Sequence, residues 1–183
     1  QGRSATSSRR CACRHARSNS RFLKMDVRHY FDSVDQTRLK RRFRRLFKDE
    51  ALLRLLDRIV DSYEAVPGKG LPIGTLTSQY FANFYLDALD RFVTEKLGCG
   101  AYVRFMDDFA LWDDSARQLS EWWELISAWL DASLELKLKP GTRLLPAGEG
   151  MPFLGFRVMP TLLLLDRRAR RRFCARRTSK SRG

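Results

Sequence analysis

The stretch YVRFMDDFALW, residues 102–112, constrains the fold of this chain more than any other feature. Within this stretch, two short runs rich in apolar and aromatic residues flank a pair of acids, and each run favours a β-strand. Asp107 and Asp108 then lie at the turn of a hairpin. At a separation of about 4 Å and an effective dielectric constant of about 20, two carboxylates repel each other by a few kcal/mol. The pair therefore indicates either a solvated turn, where Asp is common, or a site that holds a cation.

A second strand is predicted at the start of the segment RFLKMDVRHYFDSVD, residues 21–35. Side chains alternate between the two faces of a strand, so Leu23, Met25 and Val27 should face the core. Asp26 should then project from the opposite face, together with Phe22 and Lys24. Ser33 and Gln36 fit a capping box for the helix that follows.

Helical spacing of apolar residues continues in several later segments. Two helices are expected over residues 36–48 and 51–63, a long one over 75–98 that ends near Gly98, and another over 115–130. The long helix should bury a side that includes Tyr80, Phe84, Leu89 and Phe92. PFLGFRV and TLLLLD are interpreted as a final strand pair that turns near Met159 and Pro160. This order predicts an α+β domain with an antiparallel sheet packed against helices.

The charge of the chain narrows the class of its partners. A net charge of +14 and a pI near 10.3 favour a polyanion, most often a nucleic acid. The basic face of the first helix is typical of a phosphate contact, of a solvated face or of a membrane surface. No apolar run approaches the roughly 18 residues of a membrane span. The cysteines form no disulfide or zinc pattern, which predicts free thiols in the cytoplasm; Cys11, Cys13 and His15 are a weak metal candidate.

Three carboxylates carry the strongest chemical signal, namely Asp26 on a strand and Asp107 and Asp108 on a hairpin. Mg²⁺ prefers oxygen ligands and is often held by one or two carboxylates together with substrate phosphates. Two such ions, about 3.5–4 Å apart, can stabilise the attacking and leaving oxygens of a displacement at phosphorus. The sequence thus predicts a metal-dependent reaction on phosphate esters as the alternative to a solvated turn.

Four motifs give the chain a resemblance to a known family. FLKMDVRHYFDSV, GKGLPIGTLTSQYFANFYLDALD, YVRFMDD and PFLGFRV occur in the order of the palm motifs of reverse transcriptases, over residues 22–160. The chain resembles the bacterial enzymes of group II introns, retrons and diversity-generating retroelements. The Tyr-x-Asp-Asp box of that family is Phe-Met-Asp-Asp here.

The resemblance implies roles for the acids and for one aromatic residue. Asp26 and Asp107 would be the principal metal ligands, and Asp108 the second acid of the box. The cofactor would be Mg²⁺, with Mn²⁺ as an alternative. Phe31 would lie under the incoming sugar and exclude a ribose 2′-hydroxyl, although plain core packing is the other interpretation.

Three further segments receive roles from the same resemblance. The loop with Gly70, Pro72 and Gly74 would contact the nucleotide and the template, although Ile73 replaces the Gln of many relatives. Lys139 would lie near the pyrophosphate leaving group, with Lys137 and Arg143 as neighbouring candidates and a solvated lysine as the alternative. Leu154 and Gly155 would form the primer grip, or an ordinary core hairpin.

The implied function is that of an RNA-directed DNA polymerase with an RNA template, a DNA primer and dNTPs as partners. The expected organisation is a disordered basic tail over residues 1–21, a palm over 22–160 and a last strand with a basic segment over 161–183. The fingers would be largely missing and the thumb incomplete, as in a fragment. A non-catalytic basic RNA-binding remnant of a retroelement enzyme is the rival, and a basic membrane-surface protein is a weaker third.

Overall fold

The computed structural model describes residues 20–166 and residue 171. The strands are, in chain order, β1 (Arg21–Asp26), β2 (Tyr102–Phe105), β3 (Asp108–Asp113), β4 (Arg143–Pro146), β5 (Met151–Phe153), β6 (Phe156–Val158) and β7 (Leu163–Leu165). The helices are α1 (Tyr30–Ser33), α2 (Gln36–Leu46), α3 (Glu50–Asp61), α4 (Leu76–Arg91) and α5 (Ala116–Leu134). The predicted tail over residues 1–21 and the candidate cluster of Cys11, Cys13 and His15 lie largely outside the described residues, as does most of the basic segment after residue 166.

An antiparallel sheet in the order β2–β3–β1–β4 forms the centre of the domain. Strand β1 lies between β3 and β4, and its register pairs Asp26 with Asp108. A second antiparallel sheet has the order β5–β6–β7. The predicted α+β class with an antiparallel sheet is confirmed.

The alternation predicted for β1 is confirmed, and apolar side chains cover both faces of the central sheet. Leu23 and Met25 of β1 belong to the main core, where helices pack on one face. Phe22 points the other way but is 1% exposed, because it packs in a second core with Met151 and Phe153 of the small sheet. The middle of strand β1 is therefore buried on two sides, while Asp26 at its end is partly exposed.

The start of α2 differs from the predicted capping box. The Asp35 side chain accepts a hydrogen bond from Arg38 N and caps the helix, whereas Ser33 ends α1. Gln36 is 3% exposed, and its side-chain amide donates to the carbonyl groups of Val60, Tyr63 and Gly70. A buried amide of this kind needs partners, so Gln36 ties α2 to α3 and to the following loop.

The long helix α4 forms as expected, and three of its four predicted core residues lie in or against the main core, namely Leu89, Phe84 and Phe92. Phe81, Tyr85 and Leu89 lie in the main core, while Tyr80 is 66% exposed. The helix continues as a π-turn over Phe92–Lys96 and ends before Gly98, whose φ is +67°. Only Tyr80 was assigned to the wrong side, because several overlapping apolar rows run along the segment.

The C-terminal strands confirm the prediction in part, since β6 and β7 pair antiparallel with a turn between Val158 and Leu163. PFLGFRV is itself a hairpin, β5–β6, and its turn lies at Leu154 and Gly155, which have φ values of +51° and +77°. Strand β7 then follows the bend near Pro160, and β4 was not predicted. Within the part of the chain that the structure describes, no helix is long and apolar enough to span a membrane.

Candidate active site

The three acids lie at one edge of the central sheet. Asp26 is the last residue of β1, and its register partner Asp108 is the first residue of β3. Asp107 occupies the tight turn between β2 and β3, and its carbonyl accepts a hydrogen bond of 3.3 Å from Val27 N. Acids that are some eighty positions apart in sequence are thereby brought together by antiparallel pairing.

Two lysines contact this cluster. Lys139 Nζ lies 2.7 Å from Asp26 Oδ1, and Lys24 Nζ lies 3.0 Å from Asp108 Oδ2. Backbone pairing holds Lys139 in place, because its N–H donates to the Asp26 carbonyl at 2.8 Å. Lys24 was not predicted as a site residue, although its position two residues before Asp26 places both on the same face of β1.

Two acids of the cluster have raised pKa values, because the nearby lysines do not fully offset the cost of burying their charge. Burial raises the pKa of Asp108 to about 6, against the opposing effect of Lys24. The pKa of Asp107 is also raised, first by burial and then by the neighbouring Asp26 carboxylate. The pKa of Lys139 is raised by its close polar contact with Asp26. A further cation at this point would lower the energy of the charged acids.

The donor set fits a hard divalent cation such as Mg²⁺. Asp108 Oδ1 is buried and has no hydrogen-bond partner among the described residues. Asp26 Oδ1 is buried as well, and its contact with Lys139 has the distance of an ion pair without the direction of a hydrogen bond. No group of three acid, His or Cys side chains in the described ranges encloses a ready-made ion site. Mg²⁺ commonly takes one or two carboxylates and completes its shell with water and substrate phosphates, which suits an open pair.

A cavity of about 470 Å³ opens beside the acids. Its lining includes Lys24, Asp26 and Lys139, together with Gly150, which precedes β5, and Arg157 of β6. The cavity therefore joins the acid cluster to the β5–β6 hairpin, which ends in Leu154 and Gly155. Its dimensions and its charged lining leave room for a polar substrate group next to Asp26.

Comparison with known proteins assigns the family. The family described as reverse transcriptase (RNA-dependent DNA polymerase) matches residues 1–158, which is most of the chain. The chain belongs to the reverse transcriptase family. No curated protein matches the sequence significantly.

Solved structures share the fold of this reverse transcriptase domain. A telomerase from Candida albicans, in complex with a fragment of telomeric RNA, is 13% identical with a TM-score of 0.69 over 91% of this chain. An apo telomerase from Candida tropicalis, truncated from its C-terminal domain, is 16% identical with a TM-score of 0.61 over 80%. The chain spans 34% and 35% of those two proteins. These matches confirm the palm fold, and they lend no support to the narrower resemblance to bacterial group II intron, retron and related enzymes.

The other predicted site residues of this reverse transcriptase domain lie on separate segments, and their burial differs. Phe31 is partly buried against the main core, and its carbonyl accepts a hydrogen bond of 2.9 Å from Leu71 N. That bond connects the Gly70–Gly74 loop to the segment just after Asp26. Lys137 is exposed at one end of the segment that carries Lys139, while Arg143 lies in β4.

Gly70 and Gly74 differ in how much space the loop leaves around them. Gly70 has a φ of +119°, and a Cβ there would lie 2.8 Å from Ala65 N. Gly74 has a φ of +92° with open space around it, and Pro72 lies between them, partly buried. Gly70 is therefore required by close packing of the loop on itself, whereas the surroundings of Gly74 leave access for a ligand.

The exposed cations of α2 and α3 divide into those that form ion pairs with acids and those that do not. Acids of the domain neutralise Arg38, Lys40, Arg42 and Arg44. A second set is exposed and has no acid partner within the described residues; we call it the basic hairpin face, and it consists of Arg41, Arg45, Arg54 and Arg58.

All four side chains of the basic hairpin face point to one side. The pairs Lys40–Asp61 and Arg44–Asp57 show that α2 and α3 run antiparallel. A residue one position further along a helix is rotated by about 100°. Since the two helices run in opposite directions, that rotation carries the arginines of both toward the same solvent side.

Proposed function

We propose that this domain is the palm of an RNA-directed DNA polymerase, which adds dNTPs to a primer 3′-hydroxyl on an RNA template. The observation that carries the proposal is the convergence of Asp26, Asp107 and Asp108 at one open sheet edge of a reverse transcriptase palm. The fold of telomerase, which the Candida structures share, is consistent with it.

Asp26 and Asp107 are proposed as the ligands of Mg²⁺ or Mn²⁺, with Asp108 in support. When bound, divalent ions at such a site lower the energy of the attacking and leaving oxygens of an in-line displacement. The raised pKa of Asp107 and Asp108 supports this assignment, because carboxylates that lack compensation gain most from a cation. Catalysis then consists mainly of positioning and charge stabilisation by the residues of the palm.

Lys139 is proposed as the group that neutralises the leaving pyrophosphate. Its ammonium contacts Asp26 and is half exposed beside the cavity, so it can exchange the carboxylate for a phosphate when Asp26 takes up a cation. Phe31 is proposed to pack under the sugar, the Gly70–Gly74 loop with Pro72 to contact nucleotide and template, and Leu154 and Gly155 to hold the primer end.

An RNA partner is proposed because of the exposed positive charge of the domain as well as its family. A single-stranded nucleic acid that contacts four arginines releases counterions, so its binding weakens steeply with salt. The basic hairpin face offers four such side chains without competing acids. It is proposed to contact the phosphate backbone outside the cleft.

Primer extension tests the proposal. The chain is incubated with an RNA template, a DNA primer, dNTPs and Mg²⁺, and Asp107→Asn is compared with the exposed control Asp114→Asn. Extension that is lost in Asp107→Asn and kept in the control supports the proposal. Extension that continues at a similar rate in Asp107→Asn rules the mechanism out.

A non-catalytic RNA-binding role is the second candidate. Lys139 contacts Asp26 and Lys24 contacts Asp108, so each of these two acids has a cationic partner within the protein itself. In that case RNA binding is tight, no extension occurs with any template, and Asp107→Asn changes neither result.

A further inference from the structure

Arg104 is the centre of a polar cluster behind the acidic turn. Its Nε and Nη2 donate to Asp90 Oδ1 and Oδ2 at 2.7 and 2.6 Å, which is a two-pronged ion pair between β2 and α4. Its Nη1 donates to Asn83 Oδ1 at 3.0 Å and to the Met106 carbonyl at 2.9 Å. Tyr102 completes the cluster, because its hydroxyl donates to Asp90 Oδ1 at 2.8 Å.

Arg104 is the more buried member of the ion pair, and its charge is matched by Asp90, which is 34% exposed. The Arg104 side chain is 10% exposed. Burial alone would lower the pKa of Arg104, but the Asp90 carboxylate raises it well above its usual value. Charged groups that are paired and hydrogen-bonded in this way form rigid networks, and removing one partner is costly.

Met106 is the residue that this cluster holds. It immediately precedes Asp107, and its φ of +58° lies in the left-handed region that side chains other than Gly rarely adopt. Such a conformation costs roughly 1–2 kcal/mol. Two contacts maintain it: Arg104 binds the carbonyl, and Asn83 Nδ2 donates to Met106 Sδ at 3.0 Å.

We propose that Arg104, oriented by Asp90 and Asn83, is a positioning residue that fixes the left-handed turn at Met106 and thereby the direction of the Asp107 carboxylate toward Asp26. This inference rests on the proposed function, since a fixed direction matters only if Asp107 shares a cation with Asp26. The turn carries the acid on a two-residue connection between β2 and β3. The Met106 carbonyl and the Asp107 N–H share one planar peptide group, so rotation of the carbonyl reorients Asp107.

Arg104→Lys distinguishes two roles of Arg104: positioning the turn at Met106, and holding β2 on α4 through the ion pair with Asp90. Lysine keeps the positive charge beside Asp90, but a single nitrogen cannot reach Asp90, Asn83 and the Met106 carbonyl together. The matched control is Arg91→Lys, since the Arg91 side chain is 70% exposed and forms an ion pair with Asp87 on the same helix. Asn83→Ala is a second variant, which leaves the Arg104–Asp90 pair intact.

Two measurements on the full chain test the inference. Mn²⁺ affinity, measured by electron paramagnetic resonance, should fall at least about tenfold in Arg104→Lys and stay within twofold of wild type in Arg91→Lys. The methyl resonance of Met106, assigned by its loss in Met106→Leu, should shift in Arg104→Lys and in Asn83→Ala, while that of Met25 should stay in place. Urea unfolding of each variant serves as the control that the variant is folded.

The results separate this inference from the proposed function. A folded Arg104→Lys variant with wild-type Mn²⁺ affinity and an unmoved Met106 resonance overturns the positioning role. If the wild-type chain binds no Mn²⁺, the proposed metal site fails, and the Met106 resonance alone decides whether Arg104 holds the turn. If Arg104→Lys does not fold, Asn83→Ala decides the same question by the same two measurements.

Discussion

Replacing Asp108 by Asn should stabilise the protein at neutral and alkaline pH. The raised pKa of Asp108 means that the charged carboxylate is less favourable in the folded state than in water. Burial raises this pKa from 3.8 to about 6. Since one pH unit corresponds to about 1.4 kcal/mol, the charged form destabilises the fold by up to about 3 kcal/mol. The side chain is 20% exposed, and solvent reduces the expected gain to about 1–2 kcal/mol.

The sign of the pH dependence distinguishes this cause from others. The folded state binds the Asp108 proton more tightly than the unfolded state does, so this group adds stability as the pH falls from above 6 toward 4. Asn cannot titrate, and the advantage of Asp108→Asn should therefore be full above about pH 7 and absent below about pH 4.

Urea denaturation in the presence of EDTA, followed by tryptophan fluorescence, measures the effect. Wild type, Asp108→Asn and the exposed control Asp114→Asn are compared at pH 8 and pH 4, with equal denaturant slopes as the test of comparability. A variant that is less stable than wild type at pH 8, or equally more stable at both pH values, would refute the reasoning.

Three further changes have defined outcomes. Gly70→Ala should lower the free energy of unfolding by about 2–4 kcal/mol, because its φ is +119° and its Cβ would meet backbone at 2.8 Å; Gly74→Ala, which has open space, should cost about 1–2 kcal/mol in the same urea assay. Phe31→Ala should raise the use of rNTPs relative to dNTPs at least about tenfold in primer extension, and an unchanged ratio would leave Phe31 a packing residue. Arg→Gln at all four positions of the basic hairpin face should reduce the salt dependence of RNA binding, as a log–log slope, by about 3. Arg→Gln at the ion-paired Arg91 and Arg117 should leave that slope unchanged, and equal slopes in all three proteins would exclude the face.

Much of the central sheet could be predicted from sequence, since its pattern is local. Val103 and Phe109 on either side of two acids required a hairpin, and the alternation around Asp26 required a strand. The convergence of the acids followed once these strands belonged to one antiparallel sheet. What alternation could not show was that Phe22 would be covered by a second sheet, because that depends on residues more than a hundred positions away.

The parts that were missed depend on tertiary contacts or on overlapping patterns. Asp35 and not Ser33 caps α2, and the Gln36 side chain donates to three distant carbonyls instead of completing a capping box with Ser33. The cluster around Arg104 joins α4 to β2 through charged residues that resemble surface residues in sequence. Lys24 could have been found from the strand period, because it shares a face with Asp26.

Selective NMR line broadening by Mn²⁺ tests the central claim most directly, namely that the acids of β1 and of the β2–β3 turn form one divalent cation site. Substoichiometric Mn²⁺ should broaden the backbone resonances of Asp26, Asp107 and Lys139 first, and excess Mg²⁺ should reverse the effect. Asp107→Asn should abolish the broadening, whereas Asp114→Asn should not. Broadening centred elsewhere in the protein, or broadening that Asp107→Asn leaves unchanged, would contradict the account.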